Sequence, residues 1–344
     1  MTRTLIETLE SLGHTWSLVD RRFSTSVAEV GVFNFRKLAS AAWMPFRLFS
    51  AMFRFRPQIV VFFATNRTYS FLVDWVLSEL LRRFDAKVVL YLHTVGFEEI
   101  ADRGRLWARL VERLLSSGDT VVALGPSLAS DVSRWVDEAH IAFVANTASE
   151  PPDELRQPDP DAPAMVLYLS NLIPEKGADV FVDTALELMQ KDPDLRFVLA
   201  GAPTDQDFTA LLTGKVTSSS DSSRFVFVGA VTDAVRKWEL LREASVLAFP
   251  STYPFEAQPL TILEALSVGT PVVAFDVGGI RDVIRDGIDG TLVQAGNRAA
   301  FEASLLRVLA DRHEEGLRRK IYCGYKERFS RSAFERSWAS VLGG

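Results

Sequence analysis

Along most of the chain, short continuous apolar runs alternate with stretches whose apolar residues return every three or four positions. The runs are TWSLV (15–19), QIVVFFA (58–64), KVVLYL (87–92), TVVAL (120–124) and IAFVA (141–145), then AMVLYLS (164–170), LRFVLAG (195–201), RFVFVG (224–229), SVLAFP (245–250), PVVAFD (271–276) and GTLV (290–293). Continuous apolar runs without alternation fit parallel strands buried on both faces. The stretches 98–116, 177–190 and 297–310 have helical spacing between them. Strand and helix in alternation predict doubly wound α/β sheets.

The alternation breaks once, at EPPDELRQPDPDAPA (150–164), where prolines and acidic residues exclude a helix or a central strand. This divides the chain into a first domain over 1–150, a linker over 151–163 and a second domain over 164–327. A last amphipathic helix, RSAFERSWASVL (331–342), lies in the tail 328–344 and is expected to pack back on the first domain. TSSSDSS (217–223) is expected to be a loop. In open α/β sheets ligands bind beyond the carboxyl ends of the strands, so two Rossmann-like domains are expected to face a central cleft. The first domain departs from that plan. TRTLIETLESLG predicts a helix with Leu5, Ile6, Leu9 and Leu12 on one face and Gly13 as its stop. A domain of this kind usually opens on its central strand and a glycine-rich turn, and this one is expected to lack both. Met1 then reads as an internal methionine of a longer chain, or the half as degenerate.

Composition narrows the function. The 344 residues are 48% hydrophobic and 24% charged, with a net charge of −6. Residues 1–150 carry 17 basic against 16 acidic side chains and the rest 21 against 28, a balance that argues against nucleic acid as a partner. One cysteine, Cys323, excludes an internal disulfide and suits a reducing cytoplasm. Four scattered histidines do not suggest a structural zinc site. Asp-Pro-Asp at 159–161 and 192–194 is read as turn-forming rather than metal-binding. No apolar run is long enough to span a bilayer, and no apolar segment after Met1 resembles a signal peptide. Between Glu29 and Asp74 there are six basic residues and no acidic one. Trp43, Phe46, Phe49, Phe53 and Phe55 are interleaved with them in 35–57. That pattern fits peripheral contact with a membrane; the alternative is a helix interrupted at Pro45 whose aromatics pack inward.

The chemistry concentrates in PFEAQPLTILEALSVGTPVVAF (254–275). Pro259 fits the first turn of a helix, Leu260, Ile262, Leu263 and Leu266 give it a buried side, and Gly269 ends it. The helix start then points at the ligand end of the sheet. Its free N–H groups near Gln258, Leu260 and Thr261 make an anion site, with Glu256 and Glu264 on either side to accept hydroxyl hydrogen bonds. A phosphate between two polyols describes a sugar nucleotide. Taken alone, the two glutamates could equally be surface residues flanking a helix.

Glu256 and Glu264 with seven residues between them, followed by SVGTPVVA and VGGIRDVI, resemble the signature of glycosyltransferase family 4, retaining enzymes of the GT-B fold. LYLSNLIPEKGADVFVDTALEL (167–188) and RFVFVGAVTDAVRKWELLREASVLAFPS (224–251) resemble further parts of its donor domain; LYLHTVG (90–96), TVVALGPS (120–127) and FVANTASEPP (143–152) match more loosely. The resemblance implies a nucleoside-diphosphate sugar as co-substrate, with no cofactor and no metal. It implies that Glu264 binds the donor ribose and Glu256 the donor sugar, that amides at 257–261 hold the diphosphate, and that Lys176 neutralises it. It places His93 beside the donor sugar or acceptor and Gly229 at the edge of the nucleobase. Three departures accompany it. Asn171 stands where the family usually has an arginine, Ala257-Gln258-Pro259 where it often has Gly-Phe-Pro, and the acceptor-side glycine-rich loop is missing.

Each of these residues has a plainer reading. Lys176 reads as a solvated lysine, Asn171 as a turn residue and His93 as a core histidine. The expected function is retaining, metal-independent transfer of a sugar to a glycan, lipid-linked or small-molecule acceptor, in the cytoplasm or at the inner membrane face. The alternatives are a catalytically impaired member acting as a binding or scaffold subunit, and an epimerase or hydrolase of sugar nucleotides.

Overall fold

The computed structural model describes residues 2–20, 35–152, 159, 162–219 and 221–343, the side chains of 35–41 excepted. They form two units, Met1–Val144 with Glu335–Gly344, and Ala145–Phe334. Most of the proline-rich stretch expected as a linker, 153–158 with 160 and 161, lies outside the described residues, as does Ser220 of the loop expected at 217–223.

The first unit is built on a parallel sheet in the order β1-β2-β3-β4, with β1 at Ile59–Ala64, β2 at Lys87–Leu92, β3 at Thr120–Ala123 and β4 at Ile141–Phe143. Residues 14–20 are irregular, so TWSLV is not a strand. Its apolar residues Trp16, Leu18 and Val19 resemble those of the other runs, but no described strand offers it a ladder. Helix 98–116 is likewise two helices, Phe97–Ala101 and Arg105–Leu115, parted at Gly104, whose φ of 145° closes the region to other residues. Helix Phe35–Phe55, by contrast, runs unbroken through Pro45, against the alternative of a helix interrupted there. Met44, Leu48 and Met52 are buried before and after the proline and hold both halves of the helix in one register against the sheet. Even-numbered positions of β2, Val88, Leu90 and Leu92, face this core together with Phe71, Leu77, Leu81 and Leu114. On the other face Tyr91 meets Trp338 of helix Arg331–Leu342 edge-on at 4.9 Å, and Lys87 Nζ donates to the Val341 carbonyl at 3.0 Å.

The second unit has six parallel strands, β5 (Met165–Leu169), β6 (Arg196–Ala200), β7 (Phe225–Gly229), β8 (Val246–Phe249), β9 (Val272–Phe275) and β10 (Gly290–Val293). Their order is β10-β9-β8-β5-β6-β7, so the chain winds one way from β5 and the other way from β8. Period-2 alternation sends Leu167, Val198, Leu247 and Ala274 to one core, packed by helices Ala234–Glu243, Leu260–Ser267 and Leu317–Phe329. Val166, Tyr168, Phe197, Leu199 and Phe275 go to the other, under helices Ala178–Lys191 and Arg298–Ala310. Burying each such side chain is worth roughly 1.5–3 kcal/mol, which is why both faces demand apolar runs. The reversal between β5 and β8 is the point at which doubly wound sheets open a crevice at their carboxyl edge.

Candidate functional site

The loops that follow β5 and β8 meet at this reversal. After β5 comes SNLIPEKG, and Tyr168 ties both ends of that loop. Its hydroxyl donates toward the carbonyls of Asn171 and Lys176, each at 3.3 Å, and burial pushes its pKa up. Gly177, at a φ of 76°, closes the loop against the backbone of Pro250, where a Cβ would stand 2.1 Å from the carbonyl oxygen. Only glycine satisfies both the left-handed backbone and that approach. Thr252 N–H donates to the Glu175 carbonyl at 2.8 Å, so the two loops are stitched by their main chains.

This stitching brings Lys176 to Glu256. Lys176 Nζ donates to Glu256 Oε1, which also accepts from Ser251 Oγ at 2.8 Å, and Nζ lies 4.7 Å from the Tyr253 ring centre. Glu256 is 5% exposed. A carboxylate that buried is costly unless paired and hydrogen-bonded, and here it is both. Its backbone is clamped from behind by the loop after β9. Gly279 N–H donates to the Glu256 carbonyl at 3.0 Å, and a Cβ on Gly278, at a φ of 55°, would fall 1.9 Å from that oxygen. The glycines of VGGIRDVI are therefore what lets Glu256 sit where it does.

Helix Leu260–Ser267 begins four residues later. Pro259 is the residue just ahead of it, with φ −63° and ψ 118°, rather than its first helical residue, and it offers no side-chain cap. The N–H groups of Leu260 and Thr261 have no carbonyl within the helix to meet, as at every helix start. Leu260 is 43% exposed, which corrects its assignment to the buried side; Ile262, Leu263 and Leu266 are buried as expected. It occupies the first turn, which stands clear of the core that the next turn enters. Gln258 is turned inward, its Oε1 accepting from Asn146 N–H at 2.8 Å. Glu264, 7% exposed, accepts from Lys237 Nζ of helix Ala234–Glu243 at 2.6 Å. Asn171 is exposed, and its recorded bonds are made by its carbonyl. Gly229 ends β7 at a φ of 74° with open space where a Cβ would go, and its carbonyl accepts from Gly201 N–H at 2.8 Å.

His93 belongs to the first unit and follows β2 directly. Its ring lies nearly parallel to Phe63 with 5.3 Å between centres and 4.0 Å from Tyr91. Burial lowers its pKa to about 4, so the imidazole is neutral near pH 7, and Nε2 has no hydrogen-bond partner among the described residues. Asp192 acts as the turn former expected of it, its Oδ1 accepting from Asp194 N–H at 2.9 Å; the other Asp-Pro-Asp, 159–161, lies mostly outside the described residues.

The second unit thus gathers Lys176, Glu256, Gln258, Pro259, Leu260, Thr261 and Glu264 at the reversal of strand order. Three residues join them that spacing does not reveal: Ser251, Lys237 and Asn146. Lys237 and Ser251 lie within the stretch 224–251 that carries a resemblance, yet nothing in their local pattern marks their partners. The arrangement offers an anion the positive start of a helix and an ammonium group, and offers hydroxyl donors two carboxylates, one in the loop before the helix and one within it.

Residues 163–311 match the family described as glycosyl transferases group 1. The chain is 30% identical over 191 residues to a D-inositol 3-phosphate glycosyltransferase of Salinispora arenicola, a match over 53% of this chain and 41% of that one. It is 32% identical over 136 residues to a phosphatidyl-myo-inositol mannosyltransferase of Mycobacterium leprae, over 40% of this chain and 34% of that one. These matches span less than half the length of either relative. Among solved structures, sucrose-phosphate synthase from Thermosynechococcus elongatus superposes with a TM-score of 0.75 at 19% identity, over 99% of this chain and 92% of that one. HepE of Anabaena, in complex with UDP, gives 0.70 at 18%, over 89% and 82%. Residues 163–311 therefore resemble the group 1 glycosyl transferases in sequence, and the chain has the fold of the GT-B glycosyltransferases.

Proposed function

We propose that this chain transfers a sugar from a nucleoside-diphosphate sugar to an acceptor hydroxyl, with retention of anomeric configuration and without a metal. The observation that carries the reading is the pairing of Lys176 and Glu256 beside the uncapped start of helix Leu260–Ser267, at the reversal of strand order. In this reading the amides at 257–261 and Lys176 hold the diphosphate. Glu264 accepts from the ribose hydroxyls, Glu256 from the sugar, and Gly229 leaves room at the nucleobase. Asn171 borders the diphosphate without adding charge, and neutral His93 positions the sugar or acceptor. The acceptor oxygen bonds to the anomeric carbon as the bond from that carbon to the phosphate oxygen breaks. The acceptor proton passes to the departing diphosphate. Charge thus builds on the diphosphate, and each well-placed donor of positive potential there is worth roughly 3 kcal/mol. The neighbour in complex with UDP supports a nucleotide-sugar donor. We place the protein in the cytoplasm, touching a membrane surface through residues 35–57.

Glu264→Ala and Lys176→Ala are each expected to lower donor turnover at least tenfold in an acceptor-screening assay. Rates like those of the parent chain in either variant would refute the site. The exposed, uncharged Asn171 favours a second reading, in which the chain binds donor without turning it over. Calorimetric donor binding with no product across the acceptor screen would establish that reading instead.

A further inference from the structure

Helix Phe35–Phe55 reverses the usual arrangement of a surface helix. Its buried stripe is Met44, Leu48 and Met52, spaced four apart. The opposite side, at helical spacing, carries Trp43, Phe46, Arg47, Phe53 and Arg54, all exposed, with Phe49 at its flank. Trp43, Phe46 and Phe53 are 63%, 65% and 63% exposed. Aromatic side chains of this size normally lose most of their surface on folding, and single exposed ones are ordinary, whereas a contiguous stripe marks an interaction surface. The rings meet in two pairs along the helix: Trp43 and Phe46 ring centres lie 5.3 Å apart, and Phe49 stacks on Phe53 at 6.5 Å. Arg56 lies over the Phe53 ring at 5.9 Å.

Charge chooses the partner. Helix Phe35–Phe55 contains no acidic residue, and Arg47 and Arg54 stand two turns apart along one border of the aromatic stripe. A groove of about 520 Å³ opens along the same helix, lined by Leu18, Trp43, Phe46, Arg47, Arg54 and Phe55 among others. Apolar rings beside cations at one depth match the boundary of an anionic bilayer, where rings enter between acyl chains and arginines stay with the headgroups. A protein partner of mixed charge gives no reason for that one-sided cationic border.

We propose that this face is a docking surface for an anionic lipid bilayer, which seats Trp43, Phe46, Phe49 and Phe53 in the interface and pairs Arg47 and Arg54 with lipid phosphates. This holds whether or not the chain transfers sugars, and it is tested without donor. Purified full chain is sedimented with vesicles of phosphatidylcholine alone or with one third phosphatidylglycerol. The anionic vesicles are expected to bind at least tenfold more tightly at low salt and to lose most of that advantage in 0.5 M salt. Arg47→Glu with Arg54→Glu, and separately Phe46→Ser with Phe53→Ser, are each expected to weaken binding tenfold or more, with unchanged circular dichroism. All these positions are exposed, so the fold does not depend on them. Hydrogen exchange on the unmutated chain supplies the second measurement, with protection at 42–56 expected only with anionic vesicles. Equal binding to both vesicles, no binding at all, or self-association abolished by the same substitutions would overturn the proposal.

Discussion

Glu264 sits 7% exposed, with Lys237 Nζ at 2.6 Å from one of its oxygens. The lysine is more open, 27% exposed at its side chain, so the pair is partly solvated and its net contribution to stability is modest. In the proposed reading its consequence is positional: the ammonium holds one carboxylate oxygen while the other accepts a ribose hydroxyl. Lys237→Met should therefore raise the donor KM about fivefold to tenfold with a smaller change in kcat, and Lys237→Arg should restore most of it. Steady-state kinetics on the three proteins checks this, and an unchanged KM in Lys237→Met would remove Lys237 from the site. The spacing of Glu256 and Glu264 drew attention through its resemblance to a family signature; by itself it fits two surface glutamates equally well, and their burial is what the structure adds. Lys237 was not legible, since it lies 27 residues from its partner, and on a helix a lysine that reaches toward a neighbouring helix has the same local pattern as one that reaches into water.

At the scale of elements, the strands were legible and their edges nearly so. A strand buried on both faces must be apolar throughout, and each run of the second unit, from AMVLYLS to GTLV, became one. TWSLV failed because strand character is a property of a pair, and an apolar run alone supplies no neighbour. Helix Phe35–Phe55 shows the opposite error: Pro45 removes a backbone donor, at a cost of about 3 kcal/mol, yet the stripe of Met44, Leu48 and Met52 carries the helix across it. Gly13 and Gly269 were legible as helix stops, but which glycines matter depends on contacts between loops. Gly278→Ala forces a Cβ to within 1.9 Å of the Glu256 carbonyl at a φ of 55°, so it should destabilise the second unit by more than about 1 kcal/mol and lower donor affinity. Gly214→Ala meets nothing within 4 Å in helix Gln206–Thr217 and should stabilise by roughly 0.5–1 kcal/mol. Urea midpoints of the two variants test the contrast, and equal midpoints would show that the Gly278 contact is not what holds the loop.

For the whole molecule, the units differ in the order of their strands. The first runs β1 to β4 in sequence, with no reversal among the described residues, whereas the second reverses between β5 and β8. A ligand crevice follows from reversal, because the loops on either side of it part in opposite directions. The diphosphate contacts proposed above therefore come from the second unit, Lys176 after β5 and the 257–261 amides after β8, with Glu264 behind them for the ribose. A nucleoside diphosphate without its sugar should stabilise that unit specifically. At 100 times its Kd, a ligand bound only by the folded state adds roughly 2.7 kcal/mol, which slows exchange of the most protected amides about a hundredfold. With UDP, GDP and ADP tested in turn, one of them should produce this slowing over β5, β8 and helix Leu260–Ser267, together with direct protection of the loops at 170–177 and 251–259. Amides of β1 to β4 should change less. Protection confined to the first unit would place the nucleotide on the other sheet and require a different reading of Glu256, Glu264 and Lys176.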